Sequence, residues 1–193
     1  MTDEARLIRE AAAGDREAFA CLVRSRQGRV FWTAYQVVGS EEDARDVAQE
    51  VFIRLWDVLP RYQAAQRFDT WLYRITINRA IDLVRRRRAR PDLGVASLPA
   101  FDGADPSAGP AEILRAGEIQ RIFLRLAARL SPKQRAVFVL REMNDLDTAQ
   151  IAEILEVTPS TVRNHLHQAR KILRRGLAAH FPEYGSGGEE TGS

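Results

Sequence analysis

The amino-acid sequence predicts an all-α protein: two small helical domains joined by a flexible linker, with a helix-turn-helix as the C-terminal domain. Three observations lead there. Apolar residues recur at helical spacing along most of the 193 residues, and no window alternates as a half-buried strand would. The stretch 91–111 breaks that pattern with four prolines, three glycines and no basic residue. Such a composition cannot bury enough apolar surface to offset the entropy of ordering it. Beyond it, two short helices separated by three residues make a helix-turn-helix pattern. The expected domains are therefore 1–90 and 112–181, with 91–111 as linker and 182–193, rich in Gly, Ser and Glu, as a disordered tail.

Each element has its own signal. Asp15 is placed to cap a helix carrying Phe19, Leu22, Val30, Ala34 and Val38, and Gly39 closes it. Ser40 opens the next, with Asp43 three residues on in a capping-box-like arrangement. Ala44, Val47, Ala48, Val51, Phe52, Leu55, Trp56 and Leu59 then keep i, i+3, i+4, i+7 spacing until Pro60 ends the run. A third helix begins near Asp69-Thr70 and runs into Arg85-Arg86-Arg87-Arg88, with Leu72, Ile75, Thr76 and Leu83 marking its buried side. In the second domain, Ser131-Pro132-Lys133-Gln134 supplies an N-cap, a proline at the first helical position and a glutamine at the third. Asp147-Thr148-Ala149-Gln150 repeats the cap logic for a helix with Ile151, Ile154 and Leu155. After the turn Glu156-Val157-Thr158, a last helix runs from Ser160 to about Leu177.

Charge is informative once mapped. Net charge is only +3, yet residues 61–90 hold nine arginines against Asp69 and Asp82, and 159–175 hold five basic residues and no acid. Residues 41–57 instead hold six acids against Arg45 and Arg54. Two basic blocks and one acidic helix imply at least two different partners. Cys21 is the single cysteine, which excludes an intrachain disulfide and fits a reducing cytoplasm. The acidic start Met1-Thr2-Asp3-Glu4 does not read as a secretory signal, and no apolar run suits a membrane span, so a cytoplasmic location without membrane insertion is expected.

The last helix sorts its residues by face at about 100° per residue. Val162, Leu166, Ala169 and Leu173 form the apolar stripe, and Ser160, Arg163, Asn164, His167, Arg170, Lys171 and Arg174 share the opposite arc. Arginine is suited to guanine and asparagine to adenine in the major groove, while lysine and outer arginines can meet phosphates. An enzyme reading finds no support. His165 and His167 are two apart on a helix and point about 200° away from each other, and no carboxylate pair, Cys/His cluster or phosphate loop has usable spacing. No catalytic residue, metal site or cofactor is expected. A simple helix-turn-helix repressor would explain the C-terminal domain but leave the N-terminal arginines and aromatics idle.

With these residues in view, the chain resembles the extracytoplasmic-function (ECF) sigma factors of bacterial RNA polymerase. The run from Asp43-Ala44-Arg45-Asp46-Val47 to Ile53-Arg54-Leu55-Trp56 resembles the family's second conserved region, as does Thr70-Trp71-Leu72-Tyr73-Arg74 through Asn78. Leu130-Ser131-Pro132-Lys133-Gln134-Arg135, Ile151-Ala152-Glu153-Ile154-Leu155 and Ser160-Thr161-Val162-Arg163 resemble the fourth. The resemblance implies that domain 1–90 grips the polymerase clamp and the −10 promoter element, and that domain 112–181 reads the −35 element. It implies as partners core RNA polymerase (the clamp helices of the largest subunit and the flap of the second largest), promoter DNA, and an anti-sigma factor.

Asp46, Gln49 and Glu50, at i, i+3, i+4 on the polar side of their helix, are the implied polymerase contacts. For the −10 element the candidates are Tyr62, Phe68, Trp71, Arg74, Asn78 and Arg85, because opened DNA is held by aromatic faces for bases and cations for phosphates. Trp71 falls with Arg74, Asn78 and Arg85 on the polar side, whereas Tyr73 lies nearer the apolar arc. The loop from Gln63 to Asp69 resembles the segment that captures a flipped-out base. For the −35 element the set is Ser160, Thr161, Arg163, Asn164, His167, Gln168, Arg170 and Lys171. Two departures matter. Housekeeping relatives carry paired tryptophans where this chain has Trp71-Leu72, which implies a weaker melting wedge and stricter promoter choice. Asn164-His165 and Gln168 stand where many ECF members have Ser-Arg and a basic residue, so a −35 sequence does not carry over.

Overall fold

The computed structural model describes residues 3–62, 67–89 and 110–180; most of the expected linker, residues 63–66 of the expected base-capturing loop and the expected tail lie outside them. Among the described residues there are eight α-helices and no strand: α1 Asp3–Ala12, α2 Arg16–Val38, α3 Glu41–Val58, α4 Phe68–Arg88, α5 Pro110–Ala127, α6 Pro132–Glu142, α7 Thr148–Leu155 and α8 Pro159–His180. A short 3-10 turn, Leu59–Arg61, follows α3.

Caps set most of the boundaries. The Asp15 carboxylate accepts from the N–H groups of Glu17 and Ala18 at 2.8 and 3.0 Å, and Gly39, left-handed at φ 84°, donates back to the Tyr35 carbonyl and ends α2. Ser40 Oγ accepts the Asp43 N–H at the head of α3. Both reciprocal capping boxes in the C-terminal half are formed, Ser131 with Gln134 and Asp147 with Gln150. Thr158 Oγ1 accepts the Thr161 N–H at 3.2 Å to start α8. Two boundaries differ from expectation. α5 starts at Pro110, where a proline suits the first helical turn, so the linker gives up its last two residues; and α8 runs on to His180. α1 has no counterpart among the sequence expectations; it is a ten-residue amphipathic helix that buries Ile8 and Ala11 against α2.

α2, α3 and α4 pack on one another, with α1 laid on α2. α6, α7 and α8 form the second trihelical unit, and α5 lies on α8 through Leu126, Ala127, Leu130, Ala169 and Leu173. The two units do not stand apart. α6 packs on α2 and α4, and α7 packs on α4, so one apolar cluster runs unbroken from Leu22, Val47, Leu55 and Ile77 to Val137, Leu140, Ile151 and Ile154. Truncating fully buried Ile154 to alanine is expected to cost about 2–5 kcal/mol, whereas Asp147→Ala, which removes only a cap, costs about 1 kcal/mol; urea unfolding of the two variants checks the order.

Candidate nucleic-acid interface

The helix-turn-helix is built by α7, the turn 156–158 and α8. α8 buries Val162, Leu166, Ala169 and Leu173 against α6 and α7, and this fixes which arc faces outward. Ser160, Arg163, Asn164, His167, Arg170 and Lys171 are exposed, and Thr161 and Gln168 are half-buried at the edges. Thr158 ties Ser160 and Thr161 to the turn through hydroxyl contacts of 2.8 Å each. Arg170 is already engaged: its Nε and Nη2 donate to Glu142 Oε1 at 3.1 and 2.6 Å, so a phosphate must compete with Glu142 for it. His165, off this arc, has its pKa lowered by burial and by nearby Lys133.

The N-terminal face is an aromatic cluster ringed by arginines. Tyr62 and Trp71 lie 5.1 Å apart between centroids, with Phe68 5.6 Å from Tyr62 and 6.1 Å from Trp71. Tyr62 and Trp71 are half-buried, each with a surface left for a partner. Phe68 corrects the sequence expectation: at 6% exposure it faces the core and forms the floor under the other two rings, not a face for a base. It sits at the first turn of α4, where the helix enters against α2. Tyr73 is buried, as its position near the apolar arc implies, and burial raises its pKa.

The remaining −10 candidates spread along α4. Arg74 lies 3.8 Å from Glu156 of the helix-turn-helix turn. Asn78 is exposed one turn further on and shares a groove of about 490 Å³ with α3. Arg85 is exposed, 3.9 Å from Asp82. Arg26 and Arg29 of α2 escaped the sequence reading; they reach Asp69 at 3.0 and 2.7 Å and extend the basic rim beside the aromatic cluster. Their spacing on a helix already busy with core residues gave no sign of it.

On α3, Asp46, Gln49 and Glu50 are all exposed on one side. Glu50 accepts a hydrogen bond from Arg79 of α4, which holds its carboxyl below the usual carboxylate range. Ile53, 58% exposed, continues the same face one turn further and lines the α3–α4 groove with Glu50 and Ile75. Asp43, at the head of α3, is buried and paired with Arg87, and burial raises its pKa.

The exposed basic arc of α8 and the arginine-flanked aromatic cluster of α4 are two separate surfaces, of kinds that suit duplex and single-stranded DNA respectively. Residues 22–90 match the model of sigma-70 region 2 and residues 120–173 that of sigma-70 region 4. The chain is 31% identical to the ECF sigma factor SigW of Bacillus subtilis over 182 residues, covering 88% of this chain and 94% of that one. It is likewise 31% identical to the ECF sigma-E factor of Escherichia coli K12, covering 90% and 93%. Among solved structures, CnrH in complex with the cytosolic domain of CnrY aligns with a TM-score of 0.64 at 27% identity, over 90% of this chain and 96% of that one. The chain belongs to the ECF RNA polymerase sigma factors. Its function is accordingly promoter recognition and initiation of transcription with RNA polymerase.

The Glu50–Arg79 pair has a signed pH consequence. A carboxyl held low contributes above its unfolded value and loses that contribution as pH falls through the lowered one. In Arg79→Met the Glu50 titration is expected to move back up toward the ordinary glutamate range, read by carbon-detected NMR.

Proposed function

We propose that this chain acts as a non-enzymatic initiation factor in the cytoplasm, with its surfaces divided as follows. The exposed face Asp46, Gln49, Glu50, extended by Ile53, docks on the polymerase clamp. Tyr62 and Trp71, floored by Phe68 and flanked by Arg74, Asn78 and Arg85, take the −10 element as it opens. Ser160, Thr161, Arg163, Asn164, His167, Gln168, Arg170 and Lys171 line the −35 surface, with domain 112–181 also meeting the polymerase flap. The observation that carries the reading is the outward arc of α8, where a stripe of four buried apolar residues leaves Arg163 and Asn164 fully presented. CnrH was solved with a second protein bound, which supports a regulatory protein partner, an anti-sigma factor, for this chain too. No described helix is long and apolar enough to cross a membrane.

Run-off transcription with purified core polymerase tests the whole reading: promoter-specific initiation is expected, and a repressor or an enzyme would give none. Within it, Asn164→Ala or Arg163→Ala should relax −35 discrimination by about 1–3 kcal/mol if the contact is bidentate, measured across a panel of −35 variants. Trp71→Ala should slow promoter opening while polymerase binding persists, since stacking on one ring is worth about 1–3 kcal/mol per base; permanganate footprinting reads the opened bases.

A further inference from the structure

The aromatic cluster proposed for the −10 element stands where α4 begins, and no local cap fixes that beginning. Arg67 at the N-cap makes no side-chain hydrogen bond to the first turn, whereas α2, α3, α6 and α7 each have a capping side chain. The carboxylate in that turn is Asp69, where an acid suits the helix N-terminus. Asp69 reaches across to α2, its Oδ1 accepting from Arg26 Nε at 3.0 Å and its Oδ2 from Arg29 Nη1 at 2.7 Å. The start of α4 is therefore set by a neighbouring helix.

Arg26 reaches further still. Its Nη2 donates to Glu4 of α1, so one guanidinium on α2 bridges carboxylates from two other helices. A planar fork holds two acids in fixed directions, which the point charge of an ammonium does not. The Arg26 side chain is 16% exposed, against 52% for Glu4 and 40% for Asp69. It is the covered centre of a network whose ends meet water. Both acids also act on Tyr62: burial raises its pKa most, and Glu4 and Asp69 add to the rise. α1 in turn packs on the 3-10 turn that leads into Tyr62. Glu4, Arg26, Asp69 and Arg29 thus tie α1, α2 and α4 together beside Tyr62, Phe68 and Trp71.

Ion pairs with such exposed ends add little to stability, and buried Leu22, Phe68 and Leu72 already pack α2 and α4 together. What the network can fix is direction. It sets where the first turn of α4 stands, and with it Trp71, whose ring centroid is 5.1 Å from that of Tyr62. Rings grip a base only when their spacing and tilt are held by the residues around them.

We propose that Arg26 is a positioning residue of the −10 surface: by bridging Glu4 and Asp69 it sets Trp71 against Tyr62 for an opened strand, and it touches no DNA itself. The proposal deepens the functional reading above and rests on it for the strand. α1, which carries none of the DNA or polymerase contacts assigned so far, gains a role through Glu4.

The sign of one substitution separates position from charge. Removing a carboxylate near DNA raises affinity when only phosphate repulsion is at stake. Glu4→Gln is instead expected to lower it, because the brace loses its α1 end; Glu4 is exposed, so the fold survives the change. Arg26→Lys keeps the charge but not the fork, and is expected to lower affinity about fivefold, the factor of one weak base stack. Both are measured with the full chain reconstituted with core polymerase, on the run-off promoter left unpaired across its −10 element, so that stacking is read apart from melting. In the same proteins 5-fluorotryptophan replaces the three tryptophans, and Trp71→Phe assigns the Trp71 resonance. That resonance should shift or broaden in both variants while polymerase binding and −35 duplex binding stay at wild-type levels. Tighter binding by Glu4→Gln, or wild-type binding with an unmoved Trp71 resonance in Arg26→Lys, would overturn the brace. Equal losses of polymerase and −35 binding would overturn it too, since the damage would then be general. Trp71→Ala on the same template checks the underlying reading. If it binds as wild type does, the −10 assignment fails, while the fluorine signal still decides whether Arg26 positions Trp71.

Discussion

A helix has one circumference, and α4 has to divide it among α2, α3, α6 and α7 while keeping a side for solvent. Leu72, Thr76, Ile77, Ala80 and Ile81 go inward against α2 and α3. Tyr73 turns toward Asn144 of the second domain. Arg79 and Arg87 are spent on Glu50 and Asp43 of α3. What is left, Trp71, Asn78 and Arg85, faces outward in a broken strip along one side. Because 3.6 residues make a turn, no position on α4 can be moved to another duty without taking one from its neighbours. The exposed acids of α3, the aromatic cluster and the second domain are all positioned relative to one another by this single helix.

The same division explains how the acidic surface of α3 can coexist with nine arginines downstream. Asp43 and Glu50, one buried and one exposed, each take an arginine from α4. The exposed pair contributes little to stability because solvent screens it; its effect is to fix where the Glu50 carboxylate points. The acids left unpaired by α4, with Ile53 beside them, then form an exposed surface of mixed acidic and apolar character.

Local chemistry was legible in the sequence wherever a feature depends on residues within about two turns of one another. Both capping boxes, the Gly39 terminator, the stripe of α8 and the acidic face of α3 are of that kind, and the structure places them where the spacing predicts. Phe68 was not legible. Its helical angle allows a DNA-facing position, but it begins α4 directly against α2, and only the tertiary path shows that the ring turns inward. Trp71 lies between these cases: periodicity puts it on the polar side, yet Tyr62 and Phe68 close over part of it. The seam between domains was invisible for the same reason, since Thr33 and Asn144 are separated by 111 positions and neither belongs to a motif. Arg135 could be seen only as part of the Leu130–Arg135 block, with no sign that its partner is a carbonyl of α2.

Where α6 meets α2, Arg135 donates to the Gln36 carbonyl, and the boundary between the two units carries an electrostatic cost. A permanent domain interface would be expected to pair or replace a buried cation, because an apolar side chain of similar volume packs there at no electrostatic cost. Here the apolar cluster is continuous across the boundary, yet Arg135 is retained at its edge, facing Arg88. Gly39 has to remain small beside it, since a Cβ there would stand 3.1 Å from Arg135 Nη2. Apolar burial across the boundary holds the two units together, and Arg135, with its Nη2 unpartnered beside Arg88, is a local cost set against that packing.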